Sequence, residues 1–291
     1  HNLGLIVVAD DADSAHREPL APYPHTRDVA IVRNSMEGVA VCFAGIQASL
    51  SVRRWVDMGY VQEVSAGAST RPRVIPTSLS VGHDATSSPA RLPSAVYQAA
   101  KEALATGPVL VQVFRAGFSS GLSCASCKAR ATCAQCGGPL RKGSASAQPA
   151  CAWCGVVARA WGCTECEGRE LVPRGQGIGR TISDLGKSFP SVPVIRSDGE
   201  HVVTEVGAAP ALVVATRGSE PVTPGGYKVV LLLDGAAMLQ RDSLGALEES
   251  IQAWEHAISF VSEGGLCYVT DLDGAPAMAL AAGNWTTLLR H

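Results

Sequence analysis

The sequence predicts an α/β protein with parallel sheets, interrupted by a cysteine-rich module. Short apolar runs recur along the chain with stretches of helical spacing between them, an alternation typical of parallel sheets. Of the 291 residues, 46% are hydrophobic, which is enough for a substantial core. Eight of the ten cysteines fall between positions 124 and 166. These observations predict one large or two ordinary domains with a metal-stabilised insert.

The apolar runs are expected to form buried strands, with helices between them. Strands are predicted at Leu3–Val8, Val39–Phe43, Val109–Phe114, Val192–Arg196, Leu212–Ala215, Val229–Asp234 and Leu266–Val269. Helices are predicted at His25–Met36, Pro93–Ala105, Arg180–Ser188 and Ser243–Ser262. Residues 64–92, rich in Ser, Thr, Ala and Pro, are interpreted as a connector between two α/β units.

The clustered cysteines form four Cys-x2-Cys pairs: Cys124 and Cys127, Cys133 and Cys136, Cys151 and Cys154, and Cys163 and Cys166. A tetrahedral Zn²⁺ ion takes four thiolates, so four pairs supply two closed sites with no position open for catalysis. The sequence therefore predicts two structural zinc ions. Disulfides are disfavoured, because the rest of the chain holds only Cys42 and Cys267 and no signal peptide precedes them.

The pairing of the four knuckles is left open by their number, because serial, interleaved and nested arrangements all use the same eight sulfurs. Spacing favours nesting. The 14 residues between Cys136 and Cys151 make an ordinary zinc-ribbon loop, and linkers of 5 and 8 residues bring the outer pairs together around it.

Charge identifies no class of partner, since the net charge is −2. Residues 122–170 carry more Lys and Arg than Glu, but eight thiolates and two zinc ions bring the module to about −1, so no overall basic patch predicts nucleic acid. Trp153 and Trp161 could stack on bases, with core packing as the alternative. Four cations are candidate DNA contacts, with solvated side chains as the alternative: Lys128, Arg130, Arg141 and Lys142.

Two further patterns were candidates for chemistry. Gly117–Gly121 matches the G-x-S-x-G nucleophile elbow, but a knuckle follows where an elbow needs a helix. Asp10 and Asp11 follow a predicted strand, the position where α/β folds bind ligands, with a solvated loop as the alternative. No apolar run approaches the roughly 18 residues that span a bilayer, and reduced zinc thiolates fit a cytoplasmic location.

A longer series of motifs carries a family resemblance. After Cys166 come Leu171, Gly175, Gly177, Arg180, Phe189-Pro190 and Val194–Asp198. With the cysteine module before it, this series resembles the bacterial primosomal replication-restart proteins of the PriA family. Upstream, Tyr23–Ala30 is similar to the family's Tyr-His-x-Arg-Asp segment, which follows the acidic box of its ATPase.

The resemblance implies RecA-like superfamily 2 helicase lobes, the second interrupted by two nested zinc sites. It implies one site of Cys124, Cys127, Cys163 and Cys166, and another of Cys133, Cys136, Cys151 and Cys154. The implied domains are the C-terminal part of lobe 1 (1–70), a linker and the start of lobe 2 (71–121), the zinc-binding module (122–170), the rest of lobe 2 (171–280) and the start of a truncated C-terminal domain (281–291). The chain is thus interpreted as a fragment, without the family's N-terminal DNA-binding region and Walker A loop.

The ATPase motifs depart from the family's pattern. The acidic box Asp-Glu-Glu-His reads Ala9-Asp10-Asp11-Ala12, which lacks the carboxylate that holds Mg²⁺. The coupling motif Gly-Ser-Ala-Thr-Pro reads Ala44–Ala48, without hydroxyls or proline. The last motif aligns with Glu255–Ser262, which places serine at both arginine positions. Loss of an arginine finger alone costs roughly 10³–10⁵ in rate.

The resemblance therefore implies a cytoplasmic replication-restart protein that binds branched DNA at stalled forks and helps primosome and replisome-loading proteins to assemble. No catalytic residue is predicted, and ATP/Mg²⁺ binding is in doubt. One alternative is an active ATP-dependent 3′–5′ DNA helicase in which Asp10 or Asp11 replaces the missing carboxylate. Another is a zinc-scaffolded interaction protein unrelated to replication.

Overall fold

A six-stranded parallel sheet forms the larger of two α/β units. The computed structural model describes residues 3–18, 20–64, 71–79, 92–114, 121–127, 129–142, 147–173, 178–239, 245–285 and 288. The strands are β1 (Leu5–Ala9), β2 (Ala40–Ala44), β3 (Arg73–Pro76), β4 (Val109–Val113), β5 (Leu122–Cys124), β6 (Leu140–Arg141), β7 (Ala150–Cys151), β8 (Leu171–Pro173), β9 (Val194–Ser197), β10 (Leu212–Thr216), β11 (Tyr227–Leu232) and β12 (Val261–Val269). The α-helices are α1 (Thr26–Glu37), α2 (Leu50–Asp57), α3 (Ser94–Ala103), α4 (Ile178–Ser188), α5 (Gly235–Leu239), α6 (Ala246–Ser259) and α7 (Gly274–Ala282).

The large sheet has the order β3-β12-β11-β4-β10-β9, and every neighbouring pair is parallel. Its central strand β4 is buried at all five positions. Alternate residues of β4 enter two separate cores: Val109 and Val111 pack with α3 and α4, and Leu110 belongs to the core that includes α5, α6 and α7. Helices thus cover both faces, as parallel sheets require. The predicted α/β class with a parallel sheet is confirmed.

The smaller unit, residues 3–64, contains the parallel pair of β1 and β2, with Leu5 opposite Ala40 and Ala9 opposite Ala44. Helix α1 packs against this pair. The prediction that the first strand is buried was wrong in part, because Leu5 and Val7 are 53% and 57% exposed. In the described part of the chain, one face of this pair is left open to solvent.

Several elements differ from the sequence-based expectations. Helix α6 ends at Ser259 rather than Ser262, because residues from Val261 onward pair with β11. Strand β3 lies inside the predicted connector and is a four-residue edge strand next to β12. Helices α2 and α7 were not predicted. Helix α7 consists largely of alanine and other apolar residues, so it has no polar face from which a helical period could be recognised.

The cysteine module enters after β4 and returns to the large unit at α4. Strands β5 and β8 pair antiparallel at its base, and β6 and β7 form a short antiparallel ladder inside it. Its small apolar core includes Leu122, Ala131 and Leu140, with Trp161 and Leu171 packed against them. So small a core suggests that the cysteines carry most of the module's stability.

Candidate metal centres and cleft

The eight clustered cysteines stand in two groups of four. One group is Cys124, Cys127, Cys163 and Cys166, and the other is Cys133, Cys136, Cys151 and Cys154. Within each group all four sulfurs lie within 4.8 Å of one another. This is the nested pairing that spacing favoured and that the family resemblance implied.

The sulfur separations fit a tetrahedral ion. The Sγ–Sγ distances are 3.5 Å for Cys124–Cys166 and Cys127–Cys163, 3.8 Å for Cys133–Cys154 and 3.4 Å for Cys136–Cys151. Four sulfurs at about 2.3 Å from a central Zn²⁺ stand about 3.8 Å apart. Each group can therefore hold a metal ion with four thiolates, and no coordination position is left for a substrate.

One backbone turn is repeated in all four knuckles. The N–H of the first cysteine donates to the carbonyl five residues on, at 2.8 Å for Cys124, 2.7 Å for Cys133 and 2.9 Å for Cys151 and Cys163. The N–H two residues on also donates to the first sulfur, at 3.4 Å for Cys133, Cys151 and Cys163. The turns hold each sulfur pair in place through local hydrogen bonds alone.

The residue after the second cysteine adopts a left-handed backbone in the three knuckles where it is described. It is Gly137 (φ 70°), Gly155 (φ 74°) and Glu167 (φ 58°). In two knuckles the next residue is a glycine, Gly138 and Gly168. A Cβ at Gly168 would lie 2.9 Å from the Cys124 sulfur, and one at Gly138 would lie 2.8 Å from the Cys151 sulfur. These glycines allow the two knuckles of each group to approach.

The thiols of each group oppose one another's ionisation. Backbone N–H groups of Cys127 and Ser126 donate to Cys124 and lower its pKa to about 6. Cys127, although the Ala129 N–H donates to it, has its pKa raised to about 12 by the neighbouring thiol of Cys166. Cys151 and Cys136 repeat this contrast, with pKa values of about 6 and about 12. Four thiols this close cannot all ionise unless a cation balances them, so the donor set suits a metal ion.

A cleft of about 390 Å³ lies between the smaller unit and the large sheet. The smaller unit contributes Asp10, Ala12, Asp13, Ser14 and Ile46. The larger unit contributes Arg217, Gly218, Glu249, Gln252, Ala253 and His256. Both sides include residues that directly follow a strand, β1 and β10 respectively, which is where α/β folds place ligand crevices.

The two aspartates after β1 have different roles. Asp11 is 4% exposed, and its carboxylate accepts from the Ser49 backbone N–H at 3.2 Å and from Arg27 Nη1 at 3.4 Å. It therefore ties the loop after β1 to the starts of α2 and α1. Asp10 is exposed, has a left-handed backbone (φ 46°) and lines the cleft. Of this pair, only Asp10 is placed to meet a ligand there.

Helix α6 presents Glu249, Gln252 and His256 to the cleft. Glu255, at the start of the segment aligned with the arginine-finger motif, is buried elsewhere. Its Oε1 accepts from Trp285 Nε1 at 2.8 Å and from Arg71 Nη2 at 2.9 Å.

The two serines at the predicted arginine positions do not line the described cleft. Ser259 ends α6, and Ser262 lies in β12. The larger unit's side of the cleft includes Arg217, whose Nη1 lies 3.3 Å from the Glu249 carboxylate.

Two hydrogen bonds join the smaller unit to α6. Gln252 Nε2 donates to the Gln47 carbonyl at 2.5 Å, and the Leu50 backbone N–H donates to the Glu248 carboxylate at 2.6 Å. The segment aligned with the family's coupling motif therefore contacts the larger unit through a backbone carbonyl rather than through side-chain hydroxyls.

A buried acid–amide pair lies beneath the cleft wall. Gln112 Nε2 donates to Glu220 Oε1 at 2.6 Å and to the carbonyl of Ala253 at 2.9 Å. Burial raises the pKa of the Glu220 carboxyl above its usual value. Gln112 Oε1 and Glu220 Oε2 are buried without a hydrogen-bond partner, so each group has one unsatisfied oxygen.

Sequence reasoning missed the larger unit's side of the cleft. Arg217 and Gly218 directly follow β10, so the rule that ligand crevices form at the carboxyl ends of strands could have found them. The spacing of Glu249, Gln252 and His256 on one face of α6 was a second available signal. Lys128, Gly175, Gly177 and positions 117–120 of the elbow pattern lie outside the described residues.

The two tryptophans of the module differ in setting. Trp161 is partly buried, and its Nε1 donates to the Thr132 carbonyl at 3.1 Å. Trp153 is 65% exposed. Trp161 therefore packs in the module's core, which was the alternative to base stacking, whereas Trp153 does not.

Among the described residues, no helix combines the length and the apolar character that crossing a membrane requires.

No protein-family model matches the chain. Individual relatives do. It is 39% identical over 298 residues to the probable replication restart protein PriA of Mycobacterium leprae, covering 99% of this chain and 44% of that protein. It is 40% identical over 273 residues to the protein of the same name from Mycobacterium tuberculosis, covering 90% and 42%. Replication restart protein PriA of Chlamydia trachomatis is 28% identical over 208 residues, 68% of this chain and 28% of that protein.

The chain thus spans less than half the length of the curated mycobacterial relatives it matches. The match to the Mycobacterium leprae protein, at 39% identity, extends over 99% of this chain. The eight cysteines lie within the region this match covers. The chain belongs to the PriA family of replication restart proteins.

Proposed function

We propose that this chain forms part of a replication-restart protein that binds branched DNA at stalled forks and helps primosome and replisome-loading proteins to assemble in the cytoplasm, without ATP-driven unwinding. The observation that carries the proposal is the contrast between two complete cysteine groups and a cleft short of ATPase groups. Family membership supports the role in restart, since the relatives are named for it.

The metal in the two cysteine groups is zinc in this proposal. Four thiolates without oxygen or nitrogen donors suit Zn²⁺ among the common structural metals. When bound, the ions would supply charge balance and cross-links rather than chemistry. The repeated turns hold the sulfurs, and the module would serve as a rigid platform for DNA or protein partners.

The two α/β units correspond in this proposal to RecA-like lobes, residues 1–70 to the first lobe, 71–121 and 171–280 to the second, and 122–170 to the zinc module. Residues 281–291 would begin a further domain. The cleft between the units would then be the place where helicases of this type bind nucleotide.

The charges of the cleft support a loss of ATP hydrolysis. Asp10, Asp13 and Glu249 line it, against Arg217, which is already paired with Glu249. Phosphoryl transfer needs cations around the γ-phosphate and a carboxylate that holds Mg²⁺. A nucleoside triphosphate would meet an excess of negative charge here unless a metal ion entered with it.

A second candidate function is an active ATP-dependent 3′–5′ DNA helicase, and one observation favours it. Asp10 lines the cleft where a metal carboxylate would be needed, and Arg217 lines the opposite side. If a rearrangement freed Arg217 from Glu249, the cleft would offer the Asp10 carboxylate for a metal ion and the Arg217 guanidinium for the phosphates.

The test is DNA-stimulated ATP hydrolysis together with fork binding, both measured on the full native polypeptide. The proposal expects binding to forked DNA in preference to linear duplex, with no ATP turnover above background. Turnover that Asp10→Asn abolishes, while Asp57→Asn on the exposed end of α2 leaves it unchanged, would establish the helicase instead. Equal affinity for forks and duplex would refute the first candidate, and absence of turnover would refute the second.

A further inference from the structure

The cysteine module is divided by charge along its length. Residues 129–162, which hold the inner group of Cys133, Cys136, Cys151 and Cys154, contain no Asp or Glu. The same stretch contains four cations, namely Arg130, Arg141, Lys142 and Arg159. All three glutamates of the module, Glu165, Glu167 and Glu170, belong to the outer group's side.

A zinc ion on four thiolates carries −2. Arg130 lies opposite Ser123, beside Cys124 of the outer group. The other three cations therefore leave the inner part at about +1, while the outer part, with Lys128, Arg130 and Arg169 against three glutamates, stands at about −2. The near-zero charge of the whole module conceals this division. An anionic polymer would be attracted to the inner end and repelled from the outer one.

The inner end also carries the module's exposed aromatic residue. Trp153 is 65% exposed and lies within the knuckle of Cys151 and Cys154, where its backbone N–H donates to the Cys151 sulfur at 3.4 Å. Its indole ring lies against Gly138, where a Cβ would stand 2.8 Å from Trp153 Cδ2. The ring is thus supported by backbone on one side and open to solvent elsewhere.

Cations lie on both chain segments that adjoin this knuckle. Arg141 stands opposite Ala150 in the β6–β7 ladder, one residue before Cys151. On the other side, Val157 bridges back to Ala150, and the exposed Arg159 follows two residues later. Val157 is itself 42% exposed. A supported aromatic ring with cations on the adjoining chain segments, and without a nearby acid in the sequence, is an arrangement that suits single-stranded nucleic acids.

We propose that the inner cysteine group presents Trp153 as a stacking platform for an unpaired base of single-stranded DNA, with Lys142 and Arg159 serving the flanking phosphates. This assignment rests on the proposed function, because it takes DNA to be the partner. It adds that the module contacts DNA at the inner cysteine group. Every base has a flat face, so the platform reads no sequence, which suits a protein that meets forks anywhere. An apolar protein segment could also use the indole, but it would gain nothing from the cations on the adjoining chain segments.

The test compares matched variants of the zinc-loaded full native polypeptide, using fluorescence anisotropy with an oligothymidylate strand, a fork with one single-stranded arm, and a blunt duplex. Trp153→Ala is expected to weaken binding to the single strand by about tenfold and to leave the duplex unchanged. Trp153→Phe, which restores a flat ring, is expected to recover most of the affinity. Both variants should retain two metal ions per chain, which excludes misfolding of the module.

A second comparison uses the charge division. Arg159→Ala, on the inner part, is expected to reduce the slope of log affinity against log salt by about one. Arg169→Ala, an equally exposed cation on the outer part, should leave that slope unchanged.

The outcomes separate the platform from the proposed function. If the wild-type polypeptide binds none of the three DNAs, the proposed function fails. If the wild type binds the fork, and Trp153→Ala binds the single strand as tightly as the wild type does, the proposed function stands and the stacking platform is refuted. Trp153 would then be a candidate for contact with a protein partner.

Discussion

In the cysteine module all eight sulfurs stand in two closed groups, whereas in the cleft Asp10 is the one carboxylate of the acidic box that faces the open space. The module keeps what its chemistry needs, down to the glycines that let its knuckles approach. The cleft, by contrast, retains residues that stabilise the fold around it. Asp11 and Arg27 hold each other beneath the surface, whereas the alignment predicted from the sequence places none of the family's hydroxyls or arginines in the coupling and last motifs.

The difference shows which residues a fold can lose. A metal ion bound by four thiolates also holds the surrounding chain in its fold, so loss of one sulfur would unfold that part of the module. Nucleotide-binding side chains on a cleft surface contribute little to folding, and they can change without unfolding the units around them. Retention of Asp11 beside an exposed Asp10 fits this distinction, because only the former is used in packing.

The largest effect is expected from breaking a cysteine group. Cys133→Ser should reduce the metal content from two ions to one and unfold the inner part of the module, since a structural zinc site of this kind contributes about 10–16 kcal/mol of apparent binding energy. Metal content by mass spectrometry and protease sensitivity between β4 and α4 would measure this. Cys42→Ser, at an exposed cysteine outside the module, is the matched control and should retain both ions. Two ions in Cys133→Ser would contradict the assignment.

A smaller effect is expected where a glycine touches a sulfur. Gly168→Ala places a methyl group 2.9 Å from the Cys124 sulfur and should weaken metal binding at the outer group by about 10–100-fold. Gly162→Ala, in the same module with nothing within 4 Å of its Cβ position, should leave the affinity unchanged. Competition with a chelator would resolve the two sites. Equal losses in both variants would mean that the close approach at Gly168 is unimportant.

Sequence alone anticipated the features that depend on local chemistry. The four knuckles are turns closed by hydrogen bonds over five residues, so their positions could be inferred from the sequence. Spacing favoured the nested grouping without excluding the other arrangements. The central strands β4, β10 and β11 are continuous apolar runs and were located to within about two residues. The short edge strand β3 and the apolar helix α7 gave too little periodicity to be recognised.

The cleft could not be predicted in the same way, because it forms between residues far apart in sequence. Asp10 lines the same cleft as Arg217 and Gln252 only because the two units stand against each other. The alignment of the last ATPase motif directed attention to Ser259 and Ser262, and the cleft-facing side of α6 is instead that of Gln252 and His256. Which face of a helix turns inward depends on the sheet it covers, and a motif does not specify that.

The smallest effect is expected beneath the cleft, at Glu220. Burial raises the pKa of its carboxyl above 4.5 in the folded protein, so the folded state binds this proton more tightly than the unfolded state. The stability that the protonated group contributes is fully present below pH 4.5 and is lost as the pH rises through the folded pKa. Glu220→Gln supplies a permanent N–H donor to Gln112 Oε1, and it should stabilise the protein at pH 8 by about 1–3 kcal/mol.

Thermal unfolding of both proteins between pH 4 and pH 8 would measure this, and the advantage of Glu220→Gln should shrink towards the acid end. Glu37→Gln is the matched control on the surface of α1. A side-chain hydrogen bond from Arg33 lowers the pKa of Glu37, so this variant should be slightly less stable than the wild type at pH 8, which is the opposite sign. A destabilised Glu220→Gln at pH 8 would show that Glu220 is ionised in the fold and that a cation not yet identified lies beneath the cleft.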